Sequence, residues 1–116
     1  MGIARIRMID FFNAEDSQAF EEEYVKVAGS LLPLATNLIM TRTSDESLLH
    51  IAIYNTEHDA DASLAPIQKF MSEHQKLFKD TMYLHGPVSL NHVKLDWSLT
   101  CLMLVLTWQS SKLAMK

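Results

Sequence analysis

The stretch LLHIAIYN, residues 48–55, decides the fold. Ile51 and Ile53 are β-branched, Tyr54 is aromatic, and neither Gly nor Pro interrupts the run, so it reads as a strand. Side chains alternate across a strand, so Leu49, Ile51 and Ile53 share one face while Leu48, His50, Ala52 and Tyr54 share the other. The first face is wholly apolar. The second sets a small Ala52 between two polar rings and so leaves a gap. This reads as a central strand, sealed on one side and flooring a pocket on the other. His50 and Tyr54 fit that reading, and they fit equally well as ordinary strand residues with satisfied hydrogen bonds.

Working outward, residues 36–43 (TNLIMTRT) are rich in β-branched side chains, and the polar SDES at 44–47 makes them a hairpin with the first stretch. Residues 4–12 (ARIRMIDFF) read as an earlier strand, with Ala4, Ile6, Met8, Asp10 and Phe12 on one face and Arg5, Arg7, Ile9 and Phe11 on the other. Asp16 is expected to cap a helix whose apolar positions Phe20, Tyr24, Val27, Ala28 and Leu31 recur at helical spacing until Pro33 stops it. Glu21, Glu22 and Glu23 are consecutive, which spreads them around a helix as a solvated face and not as a metal or acid/base cluster.

Downstream, residues 56–61 are polar and 59–65 allow a short helical turn. Pro66 then suits the start of a second helix over 66–82, striped by Ile67, Phe70, Met71, His74, Leu77, Phe78 and Met82. Gly86-Pro87 breaks the chain, and residues 88–95 supply the last strand. The order β-α-β-β-α-β places the chain in the α+β class, with a ferredoxin-like four-stranded antiparallel sheet and both helices on one face. The bare face, expected to carry Leu49, Ile51, Ile53, Ile9 and Phe11, needs covering, and pairing it across a two-fold axis predicts a homodimer. Arg5 and Arg7 would then lie at its rim or meet partner carboxylates.

Composition bounds the function. A chain of 116 residues, 48% hydrophobic and 21% charged, suits one soluble domain, residues 1–96, followed by a tail, 97–116. A net charge of −4 gives no basic footprint for nucleic acid. Cys101 stands alone, so no internal disulfide is possible and a cytoplasmic location is expected; between Thr100 and Leu102 it reads as buried filler. The first nine residues hold two arginines and no apolar core, so no secretory leader is expected. The apolar run 97–108, bounded by Trp97 and Trp108, covers about half of a membrane span, so it reads as an extra strand or helix; an interfacial anchor is the sharper alternative.

No phosphate loop, CxxC, HExxH or GxSxG is present, so neither a nucleotide, a metal site nor a serine nucleophile is expected. His58 and His85 sit in or beside turns, and His92 belongs to the expected last strand. His74 lies on the apolar stripe beside Phe70 and Met71 and should face the sheet, bringing it near His50 and Tyr54. A histidine there could shuttle a proton and a tyrosine could donate to an oxyanion; a core histidine bonded to a carbonyl is the plainer alternative. Asp10 could orient a histidine, or simply end its strand in water.

The lengths and patterning of the strand 48–54, the acidic turn and short helix 56–65, the helix 66–82 and the Gly86-Pro87-Val88 strand resemble the dimeric α+β barrel superfamily. The resemblance covers residues 3–96 and is nearest to the antibiotic-biosynthesis monooxygenase type, the quinol monooxygenase-like proteins. It implies a pocket between sheet and helices in each subunit of a homodimer. There a phenolic, quinol or polyketide-like aromatic molecule would be oxidised by O2 without cofactor or metal. On that footing His74, His50 and Tyr54 are the catalytic candidates, and Met8, Asp10, Ala52, Phe70, Met71 and Phe78 would contact the substrate. Tyr54 falls where such relatives commonly carry a Trp or another aromatic, and His74 near the histidine that haem-degrading relatives use. The Asn that those relatives need is here Met8, which argues against haem. Other proteins of the same fold bind ligands or assist pigment and antibiotic pathways without catalysis, which is the alternative reading.

Overall fold

The computed structural model describes residues 2–94. Its elements are β1 (Ile3–Phe11), α1 (Ala14–Leu31), β2 (Ala35–Ser44), β3 (Ser47–Tyr54), α2 (Glu57–Ala62), α3 (Leu64–Glu73), a single 3-10 turn (Gln75–Leu77) and β4 (Phe78–Pro87). The strands form one antiparallel sheet in the order β2-β3-β1-β4. The expected β-α-β-β-α-β sequence and four-stranded sheet are therefore present, with β3 and β1 at the centre. Among the described residues no helix is long and apolar enough to cross a membrane. The expectations for Trp97, Cys101, Trp108 and the rest of the tail lie outside the described residues.

Local chemistry explains most element ends. Asn13, three residues ahead of the expected cap, starts α1 by accepting the Asp16 backbone N–H at 2.8 Å. Thr56 caps α2 in the same way, its hydroxyl accepting from the Asp59 N–H at 3.1 Å.

The second long helix is shorter than the apolar stripe implied. It ends at Glu73, and Phe78 and Met82 belong to β4, which takes the place of the strand expected over 88–95. From Phe78 onward the β-branched and aromatic residues Phe78, Thr81 and Tyr83 favour a strand, and the helical spacing of Phe78 and Met82 is coincidental. Gly86 pairs with Ala4 inside the sheet, so Gly86-Pro87 ends β4 where a break had been expected. His85 accordingly lies on β4 and not in a turn, and residues 88–94, His92 included, form no strand.

The largest correction concerns β1. Its alternation is as expected, but its faces are exchanged. β1 pairs with β3 so that Arg5 stands opposite Ala52, Arg7 opposite His50 and Ile9 opposite Leu48. Directly opposed residues share a sheet face. Arg5, Arg7, Ile9 and Phe11 therefore lie under the helices with His50, and Ala4, Ile6, Met8 and Asp10 lie on the bare face with Leu49, Ile51 and Ile53. Met8 and Asp10 are thereby placed on the wrong side of the sheet to reach a pocket under the helices.

A bulge between β1 and β4 completes the core. Asp10 pairs with Asp80 but Phe11 pairs with Phe78, so Lys79 is an extra residue. That insertion turns Phe78 to the helix side. Its ring meets Phe11 edge-on, with centroids 5.5 Å apart. Phe20 of α1 stands at the centre of this cluster, 5.4 Å from Phe11, 5.4 Å from Phe78 and 5.7 Å from Phe70. Phe20→Ala should accordingly cost about 3–5 kcal/mol of unfolding free energy in chemical denaturation. Phe12→Ala, at a ring that is 60% exposed, should stay within about 0.5 kcal/mol. Similar losses for both would mean that the ring cluster is not the core.

Candidate functional site

The sequence expectation brings His50, Tyr54 and His74 around one hollow above β3. The structure separates them. His50 is buried, and the Oη of Tyr24 lies over it, 2.7 Å from Nε2. The void left there, bordered by Arg7, Ile9, Met40 and Ile67 among others, is about 10 Å³, room for a single water at most. Tyr24 therefore plugs the space that a substrate was expected to fill. Burial, reinforced by the nearby Arg7 charge, pulls the His50 pKa down to about 4, and burial pushes that of Tyr24 up. The pair is neutral at physiological pH.

His74 sits at the C-terminal cap of α3, its ring packed against Phe70 and against Phe20 of α1. Its Nδ1 is 2.8 Å from the Phe70 carbonyl oxygen and its Nε2 is 2.9 Å from a Glu23 carboxylate oxygen. Both partners are acceptors, so the protonated ring can donate from both nitrogens. Burial opposes the charge, but the Phe70 carbonyl and Glu23 raise the pKa above the ordinary histidine value. The ring therefore ties α3 to α1, with both nitrogens engaged. Tyr54 is buried at the far end of β3, beside a separate recess of about 290 Å³ bordered by Thr36, Asn55 and Val88. Ala52 is buried opposite Arg5, and Phe70 is packed into the aromatic core against Phe20 and Tyr24.

The open space lies one strand over. A groove of about 780 Å³ runs between α3 and β4, with Met71 and Gln68 on the helix side, Phe78 at one end, and Arg7 and Tyr83 on the strands. That volume suits a small aromatic ligand. Met71 and Phe78 are thus expected contacts that the groove retains. Arg7 and Tyr83 oppose each other across β1 and β4, with the Arg7 guanidinium 4.7 Å from the Tyr83 ring centroid. The phenol oxygen of Tyr83 accepts a 2.6 Å hydrogen bond from Arg5, which also donates to Asp61 of α2 at 2.7 Å. Those two partners raise the Arg5 pKa against the burial that opposes its charge. The Arg5 Nε is buried without a partner among the described residues. No group of three or more His, Cys, Asp or Glu that could hold a metal ion occurs among the described residues.

The sequence reading missed Arg7, Tyr83 and Tyr24 as site residues. The usable signal was on β1: Arg5 and Arg7 share a face with Ile9 and Phe11, two large apolar residues that needed a covered side. Tyr83 could not be placed without the register of β4, and Tyr24 was read only as a core position of α1.

His50 gives the site a pH signature. The unfolded chain takes up a proton near the ordinary histidine value of 6.5, whereas folded His50 resists protonation until about 4. Its contribution is therefore intact above pH 6.5 and is lost as pH falls, by about 2 kcal/mol between pH 6.5 and 5. His74 has the opposite sign: its contribution grows as pH falls through the unfolded value, and it offsets part of the loss equally in wild type and variant. Urea unfolding at pH 7 and 5 should show this loss in the wild type and a much smaller one in His50→Gln; equal pH dependence would remove His50 as its source.

No known family pattern matches the sequence, and no curated protein matches it. Solved structures do. SnoaB, a cofactor-independent oxygenase from Streptomyces nogalater, superposes at TM-score 0.64 with 13% identity, over 80% of this chain and 98% of that one. The monooxygenase from the gene ActVA-Orf6 of Streptomyces coelicolor, solved with nanaomycin D, gives 0.66 at 7% identity over 81% and 93%. A dimeric ferredoxin-like protein from an uncultured marine organism gives 0.66 at 10% identity over 81% and 93%. The fold of this chain is therefore the ferredoxin-like one that these solved structures share.

Proposed function

We propose that the chain is a cofactor-independent monooxygenase acting on a phenolic, quinol or polyketide-like aromatic molecule, in a homodimer and in the cytoplasm. The observation that carries this reading is the groove between α3 and β4, whose apolar wall meets a polar corner at Tyr83. An electron-rich dihydroxyaromatic can itself reduce O2. It supplies the four electrons and two hydrogens of the reaction; one oxygen atom enters the ring and the other leaves as water. The protein must then provide a dry seat and a partner for the developing oxyanion. Because Arg5 donates to the Tyr83 oxygen, the phenol keeps its own proton to donate to the substrate. Tyr83 takes the role that the sequence suggested for Tyr54. His50 stands opposite Arg7 on the neighbouring strand, and the His85 ring lies 5.7 Å from that of Tyr83 on β4. Likeness to an oxygenase and a monooxygenase of the same fold supports the chemistry.

Oxygen uptake with a hydroquinone and anthrone panel, after chelator treatment and without added flavin, should exceed that of buffer. Tyr83→Phe should lower it by about tenfold or more. The groove lacks a histidine among its lining residues, which favours a second reading, a ligand-binding accessory protein of the same fold. Saturable binding of the panel without product would select it. Neither binding nor uptake would contradict both.

The homodimer rests on the bare sheet face. Leu84, Ile6, Ile51 and Ile39 are paired in one row across all four strands, and Met82, Met8 and Leu49 form the next. Leu84 and Ile39 are each 49% exposed in the single chain, so the face is an apolar surface awaiting cover. Light scattering should give twice the 13.2 kDa chain mass, and Ile51→Glu should give monomer. A monomeric wild type would contradict the assignment.

A further inference from the structure

We infer that Arg7 makes the groove selective for an aromatic ligand that carries a negative charge, either an ionised phenol or a ring carboxylate. This rests on reading the groove as an aromatic-ligand site. The chain has three arginines. Arg5 is paired with Asp61 at 2.7 Å and Arg42 with Glu21 at 2.9 Å. Arg7 has no carboxylate partner among the described residues, although it is partly buried at the groove.

That arrangement costs free energy in the empty protein. Burial lowers the Arg7 pKa from its ordinary value, yet a guanidinium stays charged throughout the physiological range. The Tyr83 ring offsets part of the cost through its negative face. A full counter-charge would offset far more, because charges attract strongly where water is partly excluded. The planar guanidinium also matches the oxygens of a carboxylate or phenolate. The neighbouring charges do not supply the same selection. Lys79 and Asp80 border the groove, are exposed, and are opposite in sign. His50, on the strand position opposite Arg7, is neutral.

The consequence concerns order of events as well as affinity. A phenolic substrate would be held as its anion, the form that gives an electron to O2, so ionisation would accompany binding. Arg7 then acts on which ligand enters, whereas Tyr83 is aimed by Arg5 and Asp61 at the oxygen of whatever is bound.

Two probes of the same shape test this: 2-naphthoate, an anion, and 2-naphthamide, its neutral counterpart, titrated calorimetrically at pH 7.5 into the full-length protein. Wild type should bind naphthoate at least about tenfold more tightly than naphthamide, as one charge-assisted pair would give. Arg7→Gln should bring the two affinities together, Arg7→Lys should keep part of the preference, and Lys79→Gln should keep it all. Equal affinities in the wild type would overturn the inference even if no Arg7 variant folds, and would leave the aromatic groove standing. A preference that survives Arg7→Gln but falls in Lys79→Gln would also overturn it. Failure of both probes to bind the wild type would remove the groove reading and this inference with it.

Discussion

The pairing of β1 against β3 controls the rest of the molecule. With Arg7 opposite His50 and Ile9 opposite Leu48, the two arginines of β1 are committed to the helix side and its small and medium apolar residues to the bare side. A slip of one residue would invert both faces. The sheet would then lose Phe11 from the core and present two charges to the surface proposed to meet a second subunit. The bulge at Lys79 depends on the same alignment, since it turns Phe78 to meet Phe11.

From that constraint follow the two environments under the helices. Toward β2 the space is closed: Phe20, Tyr24 and Phe70 pack over β3, and Tyr24 holds a neutral His50 at 2.7 Å. Toward β4 the space is open, because α3 stops at Glu73 and the chain turns through Gln75–Leu77 into the edge strand. The groove lies where that short helix leaves the sheet uncovered. The two histidines closest to the question thus differ for physical reasons. One is kept neutral by burial and the Arg7 charge; the other has its pKa raised, against burial, by a carbonyl and a carboxylate.

The strand-and-helix order was legible from periodicity alone, since residues 48–54 alternate cleanly and Phe20, Tyr24, Val27 and Leu31 keep helical spacing. The site was not. His74 looked pocket-facing because it continues the Ile67–Phe70–Met71 stripe, but α3 ends at the preceding residue, and the cap conformation sends the ring to Glu23. Spacing cannot show where a helix stops when no Gly or Pro marks it. Nor can alternation say which of two faces is covered: β1 has apolar residues on both, and only its cross-strand partners decide. Tyr83 and Arg7 are adjacent solely through the β1–β4 register, seventy-six positions apart in sequence.

The central claim, that the odd-numbered face of β1 lies under α1, is tested most directly by nuclear Overhauser contacts from selectively labelled β1 side chains. The structure predicts contacts from the Phe11 ring to the rings of Phe20 and Phe78, with centroids 5.4 and 5.5 Å away, and none from the Met8 methyl to Phe20. Contacts from Met8 to Phe20, with Phe11 reporting instead on Ile6 or Leu49, would contradict it.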